Sequence, residues 1–262
     1  MQMSQGFQPT VLRFDSLPST NTEALGQAVA GAPEGLCVVA REQTRGRGRL
    51  GRAWASPAGA GLYCSILLRP RLDARRWPLL PLMSALAVAD ALRETSSTLV
   101  PDIKWPNDIH LGARKVCGIL AETAETPVGR ACVLGIGINL RARAYPQELA
   151  GTATSIEEET GIAVDGEALL AALVRAVARR YARLQEAGGG QSLVEEWSAR
   201  SSYAAGRRVR VTLDVETFEG VTRGLEADGA LRVETDAGEL RIVRAGDVSA
   251  LRDARAGKEP RA

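Results

Sequence analysis

Apolar residues along this chain recur at two spacings, and the spacing changes near Arg200. In the first part, apolar runs alternate with stretches of helical period. Val11 to Phe14, Leu36 to Ala40, Leu62 to Leu68, Lys115 to Glu122 and Arg130 to Leu140 read as strands. Ile103 to Trp105 reads as a short strand entering a turn at Pro106-Asn107-Asp108, and Gly112-Ala113-Arg114 as a hairpin turn. A helix is predicted from Thr20 to about Gly31, where Thr20 and Glu23 have capping-box spacing and Ser19 is the alternative cap. Leu79, Leu82, Leu86 and Ala89 share one face of a helix over about Trp77 to Glu94, with Pro78 and Pro81 confined to its first turns. Leu169, Leu173, Val177, Tyr181 and Leu184 predict another over Asp165 to Ala187, ended by Gly188-Gly189-Gly190, with a short helix around Leu193 to Arg200 after it.

Beyond Arg207 the period becomes two. Val209, Val211 and Leu213, then Glu219 to Thr222, Leu231 to Glu234 and Leu240 to Val243 are short strands separated by turns at Asp228-Gly229 and Asp236-Ala237-Gly238. This makes a small all-β barrel of roughly 45–50 residues, near the lower size for a self-supporting domain, so it is expected to lean on its neighbour. The class is α+β: a mixed or antiparallel sheet with flanking helices over 10–202, and a small β domain over 203–254. Residues 1–10 read as a flexible lead and 252–262 as a charged, disordered tail.

With 262 residues, one large domain plus a small one is the natural expectation, and 45% hydrophobic content is ample for a core. A formal net charge of +2 gives no broad basic surface for nucleic acid. No apolar run is long enough to span a membrane, and MQMSQGFQPT lacks the basic cluster and apolar stretch of a secretory signal, so a cytoplasmic location is expected. Cys37, Cys64, Cys117 and Cys132 lie in apolar runs without CxxC spacing, which suits buried, reduced thiols. His110 is the single histidine, which excludes HExxH and His-rich metal sites.

Candidate chemistry starts at Arg41 to Trp54, REQTRGRGRLGRAW, between two strand-like runs. Gly46, Gly48 and Gly51 let the backbone turn tightly and approach a ligand, while Arg45, Arg47, Arg49 and Arg52 supply forked donors for carboxylates and phosphates. The spacing matches the dinucleotide fingerprint, but Trp54, Pro57 and Gly59 follow where that motif needs a helix. Only three of 33 basic residues are lysines, and Lys104 and Lys115 fall in one segment around Asn107. Asn21, Asn107 and Asn139 are the only asparagines. A chain so biased toward arginine keeps lysine where a compact ammonium differs from a guanidinium fork.

Ser19-Thr20-Asn21, Gln43 with GRGRLGRAW (46–54), KWPNDI (104–109), RKVCGILAE (114–122) and GIGINL (135–140) stand in order over about 120 residues, and all three asparagines fall inside them. Together they resemble the bacterial biotin–protein ligases. The resemblance implies a class II synthetase-like catalytic domain, a C-terminal SH3-like β-barrel, and a two-step reaction. Biotin and ATP give biotinyl-AMP and pyrophosphate, and the acyl group then passes to a lysine of a biotin carboxyl carrier protein, an acetyl-CoA carboxylase subunit or another biotin-dependent carboxylase.

By motif position the resemblance places Lys115, Arg47 and Arg49 at the reacting carboxyl and α-phosphate. Ser19, Thr20, Asn21, Gln43, Gly48 and Gly118 fall to biotin, Ser19, Thr20 and Gln43 to its ureido head. Arg52, Trp54, Lys104, Asn107 and Asn139 fall to the nucleotide, and Asp108 to Mg²⁺. A glycine-hinged arginine loop suits a lid that shields the acyl phosphate from water. The pattern begins near Thr10, which leaves no room ahead of it for the DNA-binding domain of some relatives, so no DNA partner is expected. A homodimer through sheet edges stays open. Two rivals remain: a lipoate or octanoyl ligase on the same fold, which typically carries an RRxxGG-type loop and a nearby histidine, and an Arg-Gly RNA-binding module, for which 4% aromatics supplies few stacking platforms.

Overall fold

A computed structural model describes residues 7–251; the expected tail over 252–262 and most of the expected lead lie outside them. The elements run β1 (Thr10–Leu17), α1 (Thr20–Val29), β2 (Leu36–Gln43), β3 (Gly61–Leu68), α2 (Leu79–Thr95), β4 (Pro101–Lys104), β5 (Asp108–Leu111), β6 (Arg114–Ala124), β7 (Ala131–Asn139), α3 (Ile156–Thr160), α4 (Gly166–Leu184) and α5 (Gly189–Ala199). Five further strands follow: β8 (Ala205–Thr212), β9 (Thr217–Leu225), β10 (Leu231–Thr235), β11 (Leu240–Val243) and β12 (Asp247–Ala250).

The first seven strands form one sheet in the order β1-β2-β3-β7-β6-β5-β4, antiparallel except between β1 and β2, which α1 connects. Both faces are covered, which is why β2, β3 and β7 read as continuous apolar runs. Cys37, Cys64, Ile66, Leu134, Ile136 and Ile138 face the main core with α2 and α4. Val38, Leu67 and Val133 face the other way, against Ala24 and Ala28 of α1. The predicted inner face of α4 is buried at all five positions. All four cysteines are free and buried.

Several local expectations change. Ser19, not Thr20, holds the cap position of α1 without a side-chain capping bond, and the Thr20 hydroxyl is turned inward to Gln43. Gly188 alone turns left-handed (φ 76°) after α4, and Gly189 and Gly190 begin α5. The strand β5, which begins inside the expected turn at Asp108, and the helix α3 are not among the expected elements; each is a few residues long, too short for periodicity to register.

The C-terminal strands form a five-stranded antiparallel sheet, β11-β10-β9-β8-β12. Its apolar face, with Val209, Val211, Leu231 and Val233, is continuous with the main core. The Trp105 indole N–H donates to Gly229 O (3.0 Å), and Leu79 and Leu82 of α2 pack against Gly229, so the small sheet does lean on the large one.

Candidate active site

On the α1 side of the sheet, β6 and β7 are bare where Gly118, Gly135 and Gly137 come. In GIGIN the isoleucines face the core and the glycines face outward, so Gly135 and Gly137 leave a bare floor. A Cβ on Gly135 would lie 2.2 Å from Asn21 Oδ1, and one on Gly137 would lie 2.4 Å from Trp54 Nε1. A Cβ on Gly118 of β6 would lie 3.0 Å from the Trp54 ring. These glycines are there for close approach, and the Trp54 indole lies over two of them.

Gly137→Ala is therefore expected to push Trp54 off the floor. Overpacking of this kind costs about 1–3 kcal/mol, which should appear as shifted indole fluorescence and about tenfold weaker binding of a ligand in this cavity. Gly26→Ala in α1, where nothing lies within 4 Å, is the control and should be neutral or slightly stabilising. Unchanged binding in Gly137→Ala would mean the floor is not a binding surface.

One end of the cavity above this floor is polar but uncharged. The Thr20 hydroxyl and backbone N–H both donate to Gln43 Oε1 (3.1 and 2.9 Å). Gln43 Nε2 donates to Ser56 Oγ (2.8 Å). Ser65 Oγ of β3 sits 2.7 Å from Thr20 Oγ1 and 2.6 Å from Asn21 Oδ1. Ser19, Thr20 and Asn21 are all buried.

The other end is cationic, and the Arg-Gly loop closes it. Gly48 N–H donates to Arg52 O (2.7 Å) across a tight turn whose tip, Leu50, is an exposed non-glycine residue at φ 55°. Each of three arginines reaches a different part of the molecule. Arg47 pairs with Glu122 (2.6 Å). Arg49 donates to Asn107 Oδ1 and to Gly246 O, both at 3.2 Å. Arg52 pairs with Asp247. Burial pulls the Arg49 pKa down from its ordinary value, with Asp247 and Asp108 opposing.

Lys115 arrives by a backbone irregularity. Strict alternation from Gly118 would turn Lys115 toward the core. The β5–β6 register shifts between Ile109 and His110, so Val116 and Cys117 both enter the core and Lys115 swings to the cavity. Its backbone is held by Thr152 O and Thr154 N (2.8 and 2.9 Å). The ammonium stands 2.7 Å from Asp108 Oδ1, off the line of a good hydrogen bond, and 5.3 Å from the Trp54 ring centre.

A second, larger groove shares Arg52, Trp54, Asp108 and Lys115 and runs on toward Lys104, Asn139 and Tyr203. Asn139 is buried and donates to Thr154 O (2.9 Å). Burial lowers the Lys104 pKa. The candidate residues thus divide in two: Ser19, Thr20, Asn21, Gln43, Arg47, Gly48, Arg49, Asn107 and Gly118 line the first cavity only, Lys104 and Asn139 the second only, and four stand at the junction. Trp54, expected beside adenine, belongs to that junction.

His110 also lines the second groove, and burial followed by the neighbouring Lys104 holds its pKa down to about 4. A folded-state value below the unfolded one makes the unfolded chain take the proton first. The contribution is full above about pH 7 and is lost as pH falls from about 6.5 to 4. Between pH 7.5 and 5, wild type should lose about 2 kcal/mol more than His110→Gln by urea denaturation. Parallel pH profiles would show that His110 is not kept neutral by the fold.

Sequence reasoning missed Ser65, Glu122, Gly135, Gly137 and Asp247. Glu122 and both glycines lay inside quoted motifs; Ser65 and Asp247 carried no local signal. Asp108, expected at Mg²⁺, stands 2.7 Å from the Lys115 ammonium, and among the described residues no group of three His, Cys, Asp or Glu side chains converges as a metal site.

A family model described as Biotin/lipoate A/B protein ligase family matches residues 13–139, and one described as Biotin protein ligase C terminal domain matches residues 205–251. The chain is 37% identical over 235 residues to the biotin–[acetyl-CoA-carboxylase] ligase of Paracoccus denitrificans, covering 88% of this chain and 96% of that one. It is 36% identical over 240 residues to the bifunctional ligase/repressor BirA of Bacillus subtilis, covering 90% of this chain and 72% of the relative. Among solved structures it is similar to the biotin protein ligase from Aquifex aeolicus in complex with biotin and ATP, with a TM-score of 0.81 and 28% identity over 94% of this chain and 100% of that chain.

Proposed function

This chain belongs to the biotin/lipoate A/B protein ligase family, and from that premise we propose how its cavities carry out the ATP-dependent ligation of biotin to a carrier protein. The observation that carries the reading is the division of the first cavity into a neutral polar end and a cationic end over a glycine floor. Biotin has the same division: a neutral ureido head and an anionic carboxylate.

The head lies among Ser19, Thr20, Asn21 and Gln43, whose amide and hydroxyl groups match its paired donors and carbonyl. Its apolar body lies beside Trp54, whose indole itself covers the floor at Gly118 and Gly137. The carboxylate reaches Lys115, Arg47 and Arg49. ATP enters from the second groove, with its base toward Asn139 and Lys104 and its phosphates toward Arg52 and Lys115. The carboxylate oxygen attacks the α-phosphorus, the bond to pyrophosphate breaks, and biotinyl-AMP remains under the loop. The cations offset the repulsion of the two anions and the charge that builds in transit. In the second step the uncharged amine of a carrier lysine attacks the acyl carbon, AMP leaves, and the amine gives up a proton. Mg²⁺ belongs to the nucleotide substrate in this scheme, since the protein answers the Asp108 carboxylate with Lys115.

A lipoate-type activity is disfavoured by the same end of the cavity. A dithiolane offers neither N–H nor carbonyl, which would leave the Thr20–Gln43–Asn21 groups without ligand partners. The test is incubation with ATP and a carrier domain, with either biotin or lipoate, read by intact mass. One biotinyl adduct on the carrier is expected, with no lipoyl adduct; equal labelling by both would overturn the substrate assignment.

A further inference from the structure

Glu122 touches neither cavity floor nor nucleotide groove. It lies on the outer side of the loop, and Oε2 alone accepts two bonds: from Arg47 (2.6 Å) and from Asn21 Nδ2 (2.8 Å). An ionised carboxylate can only accept. Asn21 must therefore turn its amide nitrogen to Glu122 and Leu120 O (3.2 Å), and its oxygen into the head-group end, where Ser65 Oγ meets it at 2.6 Å. From Ser65 the chain of polar contacts continues through Thr20 and Gln43 to Ser56, which donates to Trp54 O (3.2 Å). The chain thus starts on the loop at Arg47, crosses the head-group residues and returns to the loop at Trp54.

We propose that Glu122 is a positioning and specificity-determining residue. Its charge fixes Asn21 so that the head-group end presents a hydrogen-bond acceptor, and the same oxygen anchors the Arg47 side of the loop. The head-group half rests on the biotin-ligase reading; the loop half does not.

Two consequences follow. Without the carboxylate, Asn21 is free to turn its amide, and a site that needs an acceptor for a ureido N–H loses it part of the time. The four arginines of residues 45–52 also lose one of the two carboxylates seen in ion pairs with them among the described residues, Asp247 being the other. A bond between two charged groups is about twice as strong as one between neutral groups, so Glu122→Gln should show a weaker form of the Glu122→Ala effect.

The experiment takes the full chain in three forms: wild type, Glu122→Ala and Glu122→Gln. Steady-state pyrophosphate release in the presence of a carrier domain, with varied biotin or ATP, gives the two KM values. The KM for biotin should rise about tenfold in Glu122→Ala and about threefold in Glu122→Gln, while the KM for ATP stays within about twofold. Hydrogen exchange of ligand-free protein should quicken several-fold across residues 45–52 in Glu122→Ala. In an Arg47→Ala background the same substitution should add little to loop exchange, since the pair is already broken. A general structural defect would raise both KM values together and lower the unfolding midpoint, and that result overturns the proposal. So does unchanged loop exchange with unchanged KM for biotin. If wild type turned over lipoate as well as biotin, the biotin reading would fall, and the exchange result would still decide the loop half by itself.

Discussion

Lys115→Ala is expected to lower biotin-dependent pyrophosphate release about a thousandfold while leaving the unfolding transition in place. A preorganised donor at a point of developing charge is worth about 10²–10³ in rate. Here its loss also strips Asp108 of the ammonium 2.7 Å away, leaving a bare carboxylate facing two incoming anions. Stability is insulated because the pair is partly exposed and the Lys115 backbone is held by Thr152 and Thr154 whatever the side chain. Lys115→Arg should still lose about a hundredfold. A planar fork cannot occupy the small volume beside Gly118, where the ammonium nitrogen lies only 3.3 Å from the place of a Cβ. Near-wild-type turnover in the arginine variant would take Lys115 off the catalytic list.

The second large effect concerns retention of the intermediate. Arg49 ties the loop at once to Asn107 on the turn before β5 and to the Gly246 carbonyl of the C-terminal sheet. Hydrogen bonds to a charged group contribute about 1.5–3 kcal/mol each. Arg49→Gly removes both and adds backbone freedom, so biotinyl-AMP should leave about 30- to 100-fold faster. Without carrier, wild type should release about one pyrophosphate per enzyme and stall. The variant should keep turning over, and bystander lysines in added albumin should become biotinylated. Hydrogen exchange over residues 41–54 with a non-hydrolysable intermediate analogue completes the test: wild type should be protected and the variant much less. A variant that stalls like wild type, with equal protection, would show that Arg49 does not hold the loop.

Part of this was legible in residue order. The alternation of GIGIN carries a core face and a bare face, because period two assigns faces, yet the expected site did not include Gly135 or Gly137. The scarcity of lysine singled out Lys115, and the Arg-Gly string announced an anion site. The arginine string shows only the like charges of the loop; Glu122 and Asp247, which offset their repulsion, come from distant parts of the chain.

Local spacing determined which segments are strands and helices, where the glycines permit close approach, and which cationic stretch meets the substrates. The tertiary structure alone decided that Thr20 serves Gln43 rather than its own helix, that an extra residue at Val116 turns Lys115 to the cavity, and that Ser65 and Glu122 bracket Asn21. It also decided that Asp247, 195 positions away, meets Arg52. The reason is physical. Burial on one face imposes a period that every local window carries, whereas a hydrogen bond between distant groups depends on where the packed sheet brings them and leaves no spacing to read.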